Sequence, residues 1–287
     1  MKSRTWLVIP VVAGFLAVGC QSAHTQSSQQ PQVVVVPPGE PTPSPGMGAP
    51  AAGDSTPAMK APAPEPVAGP IRLSYNSCNV DGQYIALTFD DGPHATLTPK
   101  LLDILKEKGV KATFYVLGQC VVANPEVLQR AAAEGHEIGN HSFDHKAFTK
   151  AGGAGVASEV NQTSEAIEKL TGKKPVTVRP PYGSTNSSIT KRLNEEFGLK
   201  VVMWDVDPLD WKYRNASRVT SEILNNTKAG SIVLAHDIHP TTVAAMPDAI
   251  DGLLAKGFKF VTVSELIAMD RPQAAPATAA AASNPPR

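Results

Sequence analysis

The chain has 287 residues, 42% of them hydrophobic, and its 26 basic and 26 acidic side chains give a formal net charge of zero. The balanced charge argues against nucleic acid as a partner, because nucleic-acid binding usually requires a basic face. The length is sufficient for one complete hydrophobic core in a domain of about 200 residues.

The first segment has the pattern of a bacterial export signal. Two basic residues precede an apolar run, Trp6 to Val18, which is shorter than the roughly 20 residues that a membrane span needs. Small residues then precede Cys20 as in a lipoprotein cleavage box, although Ala17 stands where such boxes carry leucine. We predict a signal peptide over residues 1–20, lipidation of Cys20 and anchoring to a membrane of the bacterial cell envelope. A secreted or periplasmic protein is the alternative.

The next segment, residues 21–70, consists mainly of Gln, Ser, Pro, Ala and Gly with almost no aromatic side chains. Such a composition cannot bury enough apolar surface to fold. We predict a disordered linker there, and a similar Ala/Pro-rich disordered tail over residues 271–287. The folded domain is predicted over residues 71–270.

Apolar runs alternate with amphipathic segments through this domain. The predicted strands cover 84–89, 112–117, 137–139, 176–178, 200–204, 231–235 and 259–263. The predicted helices include 98–108, 125–134 and 156–170, the last with Val160, Ile167 and Leu170 facing inward and Glu159 facing water. The alternation favours parallel strands. Seven such units predict an α/β fold with a closed or nearly closed barrel.

Two adjacent carboxylates, Asp90 and Asp91, end the first of these strands and precede Gly92-Pro93. The ends of parallel strands are where catalytic groups collect in α/β folds. Adjacent carboxylates repel each other, so a fold keeps them only beside a compensating metal ion, proton or arginine. A solvated turn is the alternative, because Asp and Gly are common turn residues.

Two histidines, His141 and His145, are spaced at i and i+4 after the third predicted strand. On a helical turn this spacing puts both imidazoles on one side, where they can bind one cation. One carboxylate and two histidines leave ligand positions open for water, which is typical of a catalytic rather than a structural metal site. A pair of surface histidines is the alternative.

Three further strand ends carry candidate groups. Arg179 precedes two prolines, and a guanidinium in such a turn can hold a carboxylate ionised and aimed, or can simply be exposed. Acids alternate with tryptophans over residues 204–211, as in sugar-binding grooves, or as a core Trp beside a capping Asp. His236 ends a buried strand, where a core histidine is the alternative to an acid–base group. All candidates are predicted at the same end of one sheet.

These segments together resemble the polysaccharide deacetylases of carbohydrate esterase family 4, which share the NodB-homology domain. The counterparts of the five family motifs occur in order as Thr88-Phe89-Asp90-Asp91, His141-Ser142-Phe143-Asp144-His145, Arg179-Pro180-Pro181-Tyr182-Gly183, Asp207-Pro208-Leu209-Asp210-Trp211 and Leu234-Ala235-His236. The resemblance covers roughly residues 75–268 and implies a distorted (β/α)7 barrel of the NodB-homology type.

The resemblance also implies metal-assisted hydrolysis of an N-acetyl group on a sugar. Asp91, His141 and His145 would hold one divalent cation, with zinc favoured and cobalt, nickel or manganese as alternatives. Asp90 would be the general base, oriented by Arg179.

In the same implied mechanism His236 is the general acid, and Asp210 keeps it protonated because a nearby carboxylate favours the imidazolium. The backbone N–H of Tyr182 would contribute to an oxyanion hole. Leu234 and Trp211 would line the acetyl pocket and the sugar groove.

The implied partner is an N-acetylated polysaccharide, and an exported, tethered monomer could reach peptidoglycan. N-acetylglucosamine units of the cell wall are therefore the favoured substrate, with chitin oligomers and O-acetylated xylan as alternatives. A non-catalytic glycan-binding protein on the same fold is a separate hypothesis. It predicts the loss of Asp90, of a metal ligand or of His236, and none of these residues is lost.

Cys78 and Cys120 leave two possibilities open. An oxidising compartment favours a disulfide between them. Their positions before the first and after the second predicted strand suggest opposite ends of the sheet.

Overall fold

The computed structural model describes residues 72–271. The predicted signal peptide, the linker, the lipidation site Cys20 and the tail beyond Arg271 lie outside these residues. Within them, no helix is both long and apolar enough to cross a bilayer.

Parallel strands form the centre of the fold. In chain order they are β1 (Ser74–Tyr75), β2 (Tyr84–Asp90), β3 (Thr113–Val116), β4 (Glu137–Asn140), β5 (Thr177–Val178), β6 (Lys200–Val202), β7 (Ile232–His236) and β8 (Lys259–Phe260). Across the described part of the sheet the order is β1-β6-β5-β4-β3-β2-β7, and β8 pairs with the start of β2. All seven predicted strands are present, and only the two-residue β1 was not predicted.

The sheet curls until its two edges approach each other. Val206, beyond the end of β6, forms a parallel bridge with Val233 of β7, and the Leu234 N–H donates to the Val206 carbonyl at 2.9 Å. On the β1 side, the Cys78 N–H donates to the Gly230 carbonyl at 2.8 Å. These contacts make the sheet a distorted, nearly closed barrel, as predicted.

Helices surround this barrel. They are α1 (Leu97–Glu107), α2 (Gly118–Ala123), α3 (Pro125–Ala133), α4 (Phe148–Thr171), α5 (Ser187–Glu195), α6 (Asp210–Tyr213), α7 (Ala216–Asn226), α8 (Pro240–Ala255) and α9 (Val263–Ala268). A short 3-10 turn covers Pro181–Gly183. The predictions for α1 and α3 are right to within one residue.

The prediction for α4 was eight residues too short at its start. The helix begins at Phe148 and is interrupted at Gly152, whose φ of 66° is not helical. The sequence Ala151-Gly152-Gly153-Ala154-Gly155 hid this first part, because glycine has a low helix propensity and no side chain to mark an apolar face.

The central strand β2 positions Asp90 because its side chains alternate between the two faces of the sheet. Ile85, Leu87 and Phe89 point to the helices and belong to the largest core cluster, with Leu101, Leu102 and Leu105 of α1. Thr88 and Asp90 point to the opposite side, the interior of the barrel, because successive side chains of a strand alternate. Fully burying each large apolar side chain contributes about 1.5–3 kcal/mol, so the register of β2 is strongly specified.

The structure does not form the disulfide between Cys78 and Cys120. The Cys78 thiol is free and buried. Cys78 lies beside the residues that precede β7, whereas Cys120 lies in α2, directly beyond β3. The two cysteines are therefore at opposite ends of the sheet.

Candidate active site

The carboxyl ends of the strands open into one cleft of about 480 Å³, a volume typical of small-ligand sites. The predicted residues that line it are Asp90, Asp91, His141, His145, Tyr182, Trp211, Leu234 and His236. Arg179 and Asp210, both 0% exposed, are buried behind its wall. All ten predicted site residues therefore come together.

Asp90 is held by a buried arginine. The Nη1 group of Arg179 donates to Asp90 Oδ1 at 2.7 Å and to Thr88 Oγ1 at 2.7 Å. Burial raises the pKa of the Asp90 carboxyl above its usual value, and the Arg179 guanidinium opposes this rise. The exposed-arginine alternative is thereby excluded, and Asp90 keeps one carboxylate oxygen, Oδ2, free of this ion pair.

Arg179 is itself fixed by other groups. Its Nη2 donates to the Met203 carbonyl at 2.9 Å and its Nε to the Val202 carbonyl at 3.3 Å. The guanidinium also lies over the Tyr115 ring, 4.3 Å from the ring centroid. Hydrogen bonds in several directions fix the orientation of the planar guanidinium. The guanidinium in turn fixes the orientation of the Asp90 carboxylate.

Asp91 faces the two histidines instead. Its Oδ1 lies 3.5 Å from His141 Nε2 and 3.4 Å from His145 Nε2. This oxygen is buried and has no hydrogen-bond partner within residues 72–271. An unsatisfied buried acceptor costs about 1–3 kcal/mol, and a cation would remove this cost. The separations also match the ~3.4 Å edge of a tetrahedron with bonds of ~2.1 Å, so the three residues fit a divalent metal.

His141 has the tautomer that a metal requires. Its Nδ1 lies 2.6 Å from the carbonyl oxygen of Arg179, which can only accept, so Nδ1 carries the proton and Nε2 presents a lone pair. Burial lowers the pKa of His141 to about 3. The imidazole is therefore neutral over the physiological pH range, which is the state that binds metals.

The spacing of the two histidines predicted that they lie on a helical turn, but they do not. They lie in a loop in which Ser142 has a φ of 71° and His145 a φ of 67°. The rings approach to 5.0 Å between centroids. Their convergence was predicted correctly, but the backbone that produces it was not.

His236 is paired with Asp210. Its Nδ1 lies 2.8 Å from Asp210 Oδ1, and its backbone N–H donates to Asp210 Oδ2 at 2.9 Å. Burial acts to lower the pKa of His236, but the Asp210 carboxylate outweighs burial and raises it to about 9. Burial likewise acts to raise the pKa of Asp210, and its bonds to His236 bring it below the usual value. His236 is thus an imidazolium that lines the cleft rather than a neutral core histidine.

The remaining predicted residues form the walls. Tyr182 has a φ of 59°, and its N–H donates to no acceptor within the described part of the chain. Trp211 is 48% exposed and Leu234 is 3% exposed. A free N–H, an exposed indole and a buried aliphatic side chain can contact an oxyanion, a sugar face and a methyl group, respectively.

Two buried acids were missed by the sequence analysis. Glu159 was predicted to face water but is only 5% exposed, and it accepts hydrogen bonds from the backbone of the histidine loop. Asp237 is 0% exposed, accepts from Thr98 Oγ1, and burial raises its pKa to about 7. Asp237 could have been found from its position directly after His236, but no periodicity distinguishes Glu159 from the exposed acids of α4.

Sequence comparison identifies similar proteins of known activity. A family model described as polysaccharide deacetylase matches residues 78–202. The peptidoglycan-N-acetylglucosamine deacetylase PgdA of Listeria monocytogenes is 47% identical over 182 residues, 63% of this chain and 38% of that protein. The peptidoglycan-N-acetylmuramic acid deacetylase PdaC of Bacillus subtilis is 41% identical over 182 residues, with the same shares. The chain thus spans well under half the length of these two relatives.

Structural comparison finds a solved structure whose chain is almost completely covered by the match. A structure described as T48 deacetylase with substrate superposes with a TM-score of 0.63 at 43% sequence identity. The match covers 66% of this chain and 93% of that chain. The similarity therefore extends over nearly the whole chain of that solved structure.

Proposed function

Because this chain belongs to the polysaccharide deacetylase family, we propose that it hydrolyses N-acetyl groups on N-acetylglucosamine units of an envelope polysaccharide, with peptidoglycan as the substrate. The observation that carries the proposal is the unsatisfied Asp91 Oδ1, which faces the His141 and His145 imidazoles between the Asp90–Arg179 pair and the His236–Asp210 pair. A metal site, a base and an acid within one cleft form the set that amide hydrolysis needs.

In this proposal Asp91, His141 and His145 hold one divalent cation. A bound cation would polarise the acetyl carbonyl and make a water more acidic. Zinc is the preferred ion, because one carboxylate and two imidazoles form a catalytic zinc site, and cobalt, nickel and manganese are the alternatives.

Asp90 acts as the general base. Arg179 occupies Asp90 Oδ1, which leaves Oδ2 to accept the proton of the attacking water. Burial strengthens Asp90 as a base by raising its pKa. The fixed guanidinium keeps Oδ2 directed at the ligand cluster, where it lies 3.7 Å from His141 Nε2.

His236 acts as the general acid. Its pKa of about 9 keeps it protonated near neutral pH, so it can donate a proton to the departing amine. The N–H of Tyr182 stabilises the negative charge that develops on the acetyl oxygen. Water supplies the hydroxyl group of acetate, and the sugar nitrogen leaves as an amine.

Peptidoglycan is favoured because the relatives PgdA and PdaC are described as peptidoglycan deacetylases. Trp211 and Leu234 line the cleft beside the proposed metal ligands, where they suit a pyranose face and an acetyl methyl group. PgdA is named for N-acetylglucosamine and PdaC for N-acetylmuramic acid, so the proposed N-acetylglucosamine specificity needs its own test.

In the same proposal the protein is a monomer that is exported and tethered by a lipid on Cys20, with residues 21–70 as the linker. The support is the short apolar run before Cys20 and the composition of the linker. Such a tether would allow the domain to reach the cell wall from a membrane.

The test is acetate release from purified peptidoglycan and from an N-acetylglucosamine oligomer, after chelation and after return of single metals. We expect activity that chelation removes and zinc restores. Mass spectrometry of digested peptidoglycan then assigns the lost acetyl group to glucosamine or muramic acid units. Binding to peptidoglycan without acetate release under every metal would instead support the non-catalytic glycan-binding hypothesis.

A further inference from the structure

The segment 141–145, here called the ligand loop, carries two of the three proposed metal ligands but has no regular secondary structure. Each of its five backbone N–H groups has a defined acceptor. The acceptors are Val116 O for His141 (3.0 Å), Asn140 Oδ1 for Ser142 (2.8 Å), Glu159 Oε2 for Phe143 (2.8 Å) and for Asp144 (3.1 Å), and Ser142 Oγ for His145 (3.0 Å). Side chains, rather than a helix, therefore hold four of the five groups.

Glu159 has the largest share of these bonds. It belongs to α4, outside the loop, and its single Oε2 accepts from two consecutive N–H groups in the middle of the loop. Hydrogen bonds to an ionised acceptor are about twice as strong as those between neutral groups. Glu159 therefore anchors the middle of the ligand loop to α4, the longest helix of the described residues.

An alternative explanation is that Glu159 is buried only to pair with Lys146. Lys146 Nζ lies 3.3 Å from Glu159 Oε1, but the lysine side chain is 61% exposed and also pairs with Asp144. An exposed lysine contributes little to a buried carboxylate. The two backbone N–H groups are thus the partners that offset the burial of Glu159.

We propose that Glu159 is a positioning residue of the metal site, which sets the separation of the two histidine Nε2 atoms by anchoring the middle of the ligand loop. The inference rests on the proposed metal centre and is independent of the substrate. Metal–ligand distances lie within about 0.2 Å of their standard values, so a loop without this anchor would bind the cation weakly even though every ligand remained.

Three substitutions separate position from charge. Glu159→Gln keeps the length and one acceptor oxygen that can take both N–H groups, but removes the charge. Glu159→Asp keeps the charge, but the shorter side chain withdraws the oxygen from the loop. Glu159→Ala removes both. Glu165→Gln is the matched control, because it makes the same change at an exposed position of the same helix.

The measurement is the affinity of the metal-free full chain for Zn²⁺ and Co²⁺, by competition with a chromophoric chelator, together with the Co²⁺ absorption spectrum. We expect Glu159→Gln to stay within about tenfold of the wild type. We expect Glu159→Asp and Glu159→Ala to lose roughly 10–100-fold, the usual cost of losing a group that orients metal ligands, with an altered Co²⁺ spectrum. Glu165→Gln should match the wild type.

Hydrogen exchange of the metal-free proteins gives a second readout. Protection of the Phe143 and Asp144 amides should fall in Glu159→Asp and remain in Glu159→Gln. Wild-type affinity in Glu159→Asp and Glu159→Ala would overturn the proposal, and a loss in Glu159→Gln equal to that in Glu159→Ala would show that charge, not position, matters. A wild type that binds no better than His141→Ala would instead refute the metal centre itself.

Discussion

At the scale of single residues, the adjacent carboxylates Asp90 and Asp91 have different partners. Asp90 is 2.7 Å from a buried guanidinium, whereas Asp91 faces two imidazoles with an oxygen that has no hydrogen-bond partner among the described residues. The ion pair compensates one charge and leaves the other for a cation, which resolves the repulsion between neighbouring acids. Chain neighbours can thus have separate chemical roles because their side chains point to different surroundings.

Substitution of each carboxylate should separate these roles. Asp90→Asn should retain the metal and lose roughly 10²–10⁴ in turnover, because only the base is removed. Asp91→Asn should lower metal affinity by more than the roughly 10–100-fold cost of losing an orienting group, because it replaces an anionic ligand with a neutral amide. Metal content and acetate release of both variants check this. An empty site in Asp90→Asn with a full one in Asp91→Asn would reverse the two assignments.

The pairing of His236 with Asp210 predicts a defined pH dependence. Because Asp210 raises the pKa of His236 to about 9, the acid form persists through neutral pH and is lost as the pH rises through that value. A nearby bound cation would lower this pKa, so the alkaline limb of kcat/KM should lie no higher than about pH 9. In Asp210→Asn the pKa of His236 should fall, and the limb should move to lower pH.

The measurement is a pH–rate series on an N-acetylglucosamine oligomer for the wild type, Asp210→Asn and His236→Ala, with the metal content of each. His236→Ala should abolish the limb and cost roughly 10²–10⁴ in rate. An unmoved limb in Asp210→Asn would refute the pairing. A limb that survives in His236→Ala would belong to another group.

At the scale of secondary-structure elements, the start of α2 supports the ligand loop from the side opposite α4. The Gly118 N–H donates to the Ser142 carbonyl at 3.0 Å, and the Gln119 N–H donates to the Phe143 carbonyl at 3.0 Å. The first N–H groups of a helix have no partner inside it, so the helix start and the loop carbonyls satisfy each other. Two helices therefore hold the loop, one by its carbonyls and the other by its N–H groups.

This close approach predicts that Gly118 cannot be enlarged. A Cβ at Gly118 would collide with the Phe143 ring and would lie 2.6 Å from Thr163 Oγ1. Gly118→Ala should cost about 1–3 kcal/mol in the free energy of unfolding through overpacking, and should also weaken metal binding by displacing the loop. Thermal unfolding and zinc affinity check both effects.

Val122→Ala is the matched control for this prediction. Val122 lies in the same helix but is 66% exposed, so its loss should change stability by less than about 0.5 kcal/mol. Equal stability and affinity of Gly118→Ala and Val122→Ala would mean that the loop does not depend on contact with α2.

At the scale of the whole molecule, the barrel brings distant parts of the chain to one end. Four of the site residues lie at the carboxyl ends of four different strands. Asp90 and His236 are the last residues of β2 and β7, and His141 and Arg179 come directly after β4 and β5. Because all these strands are parallel, their carboxyl ends share one rim.

The tether gives a prediction for the full chain. Cys20→Ala should move the protein from the membrane fraction to the soluble envelope fraction or to an unprocessed precursor, because the lipid attachment site is lost. Cell fractionation and the mature N-terminus check this, with acetate release as the control for an intact catalytic domain. An unchanged distribution, or a native N-terminus at another residue, would favour plain secretion.

The sequence by itself determined the alternation of strands and helices, the barrel class and the placement of the candidate groups near the carboxyl ends of strands. These features are local, since apolar periodicity and Gly or Pro punctuation act over a few residues. The convergence of Asp91, His141 and His145 could be predicted for the same reason, because parallel strands share one rim.

Only the tertiary structure decided which atoms meet at that rim. The pairing of Arg179 with Asp90 joins residues 89 positions apart, and the tautomer of His141 depends on a carbonyl 38 positions away. The burial of Glu159 and the free thiol of Cys78 were equally unreadable from local patterns. Hydrogen bonds at 2.6–3.1 Å depend on three-dimensional placement, which spacing along the chain does not encode.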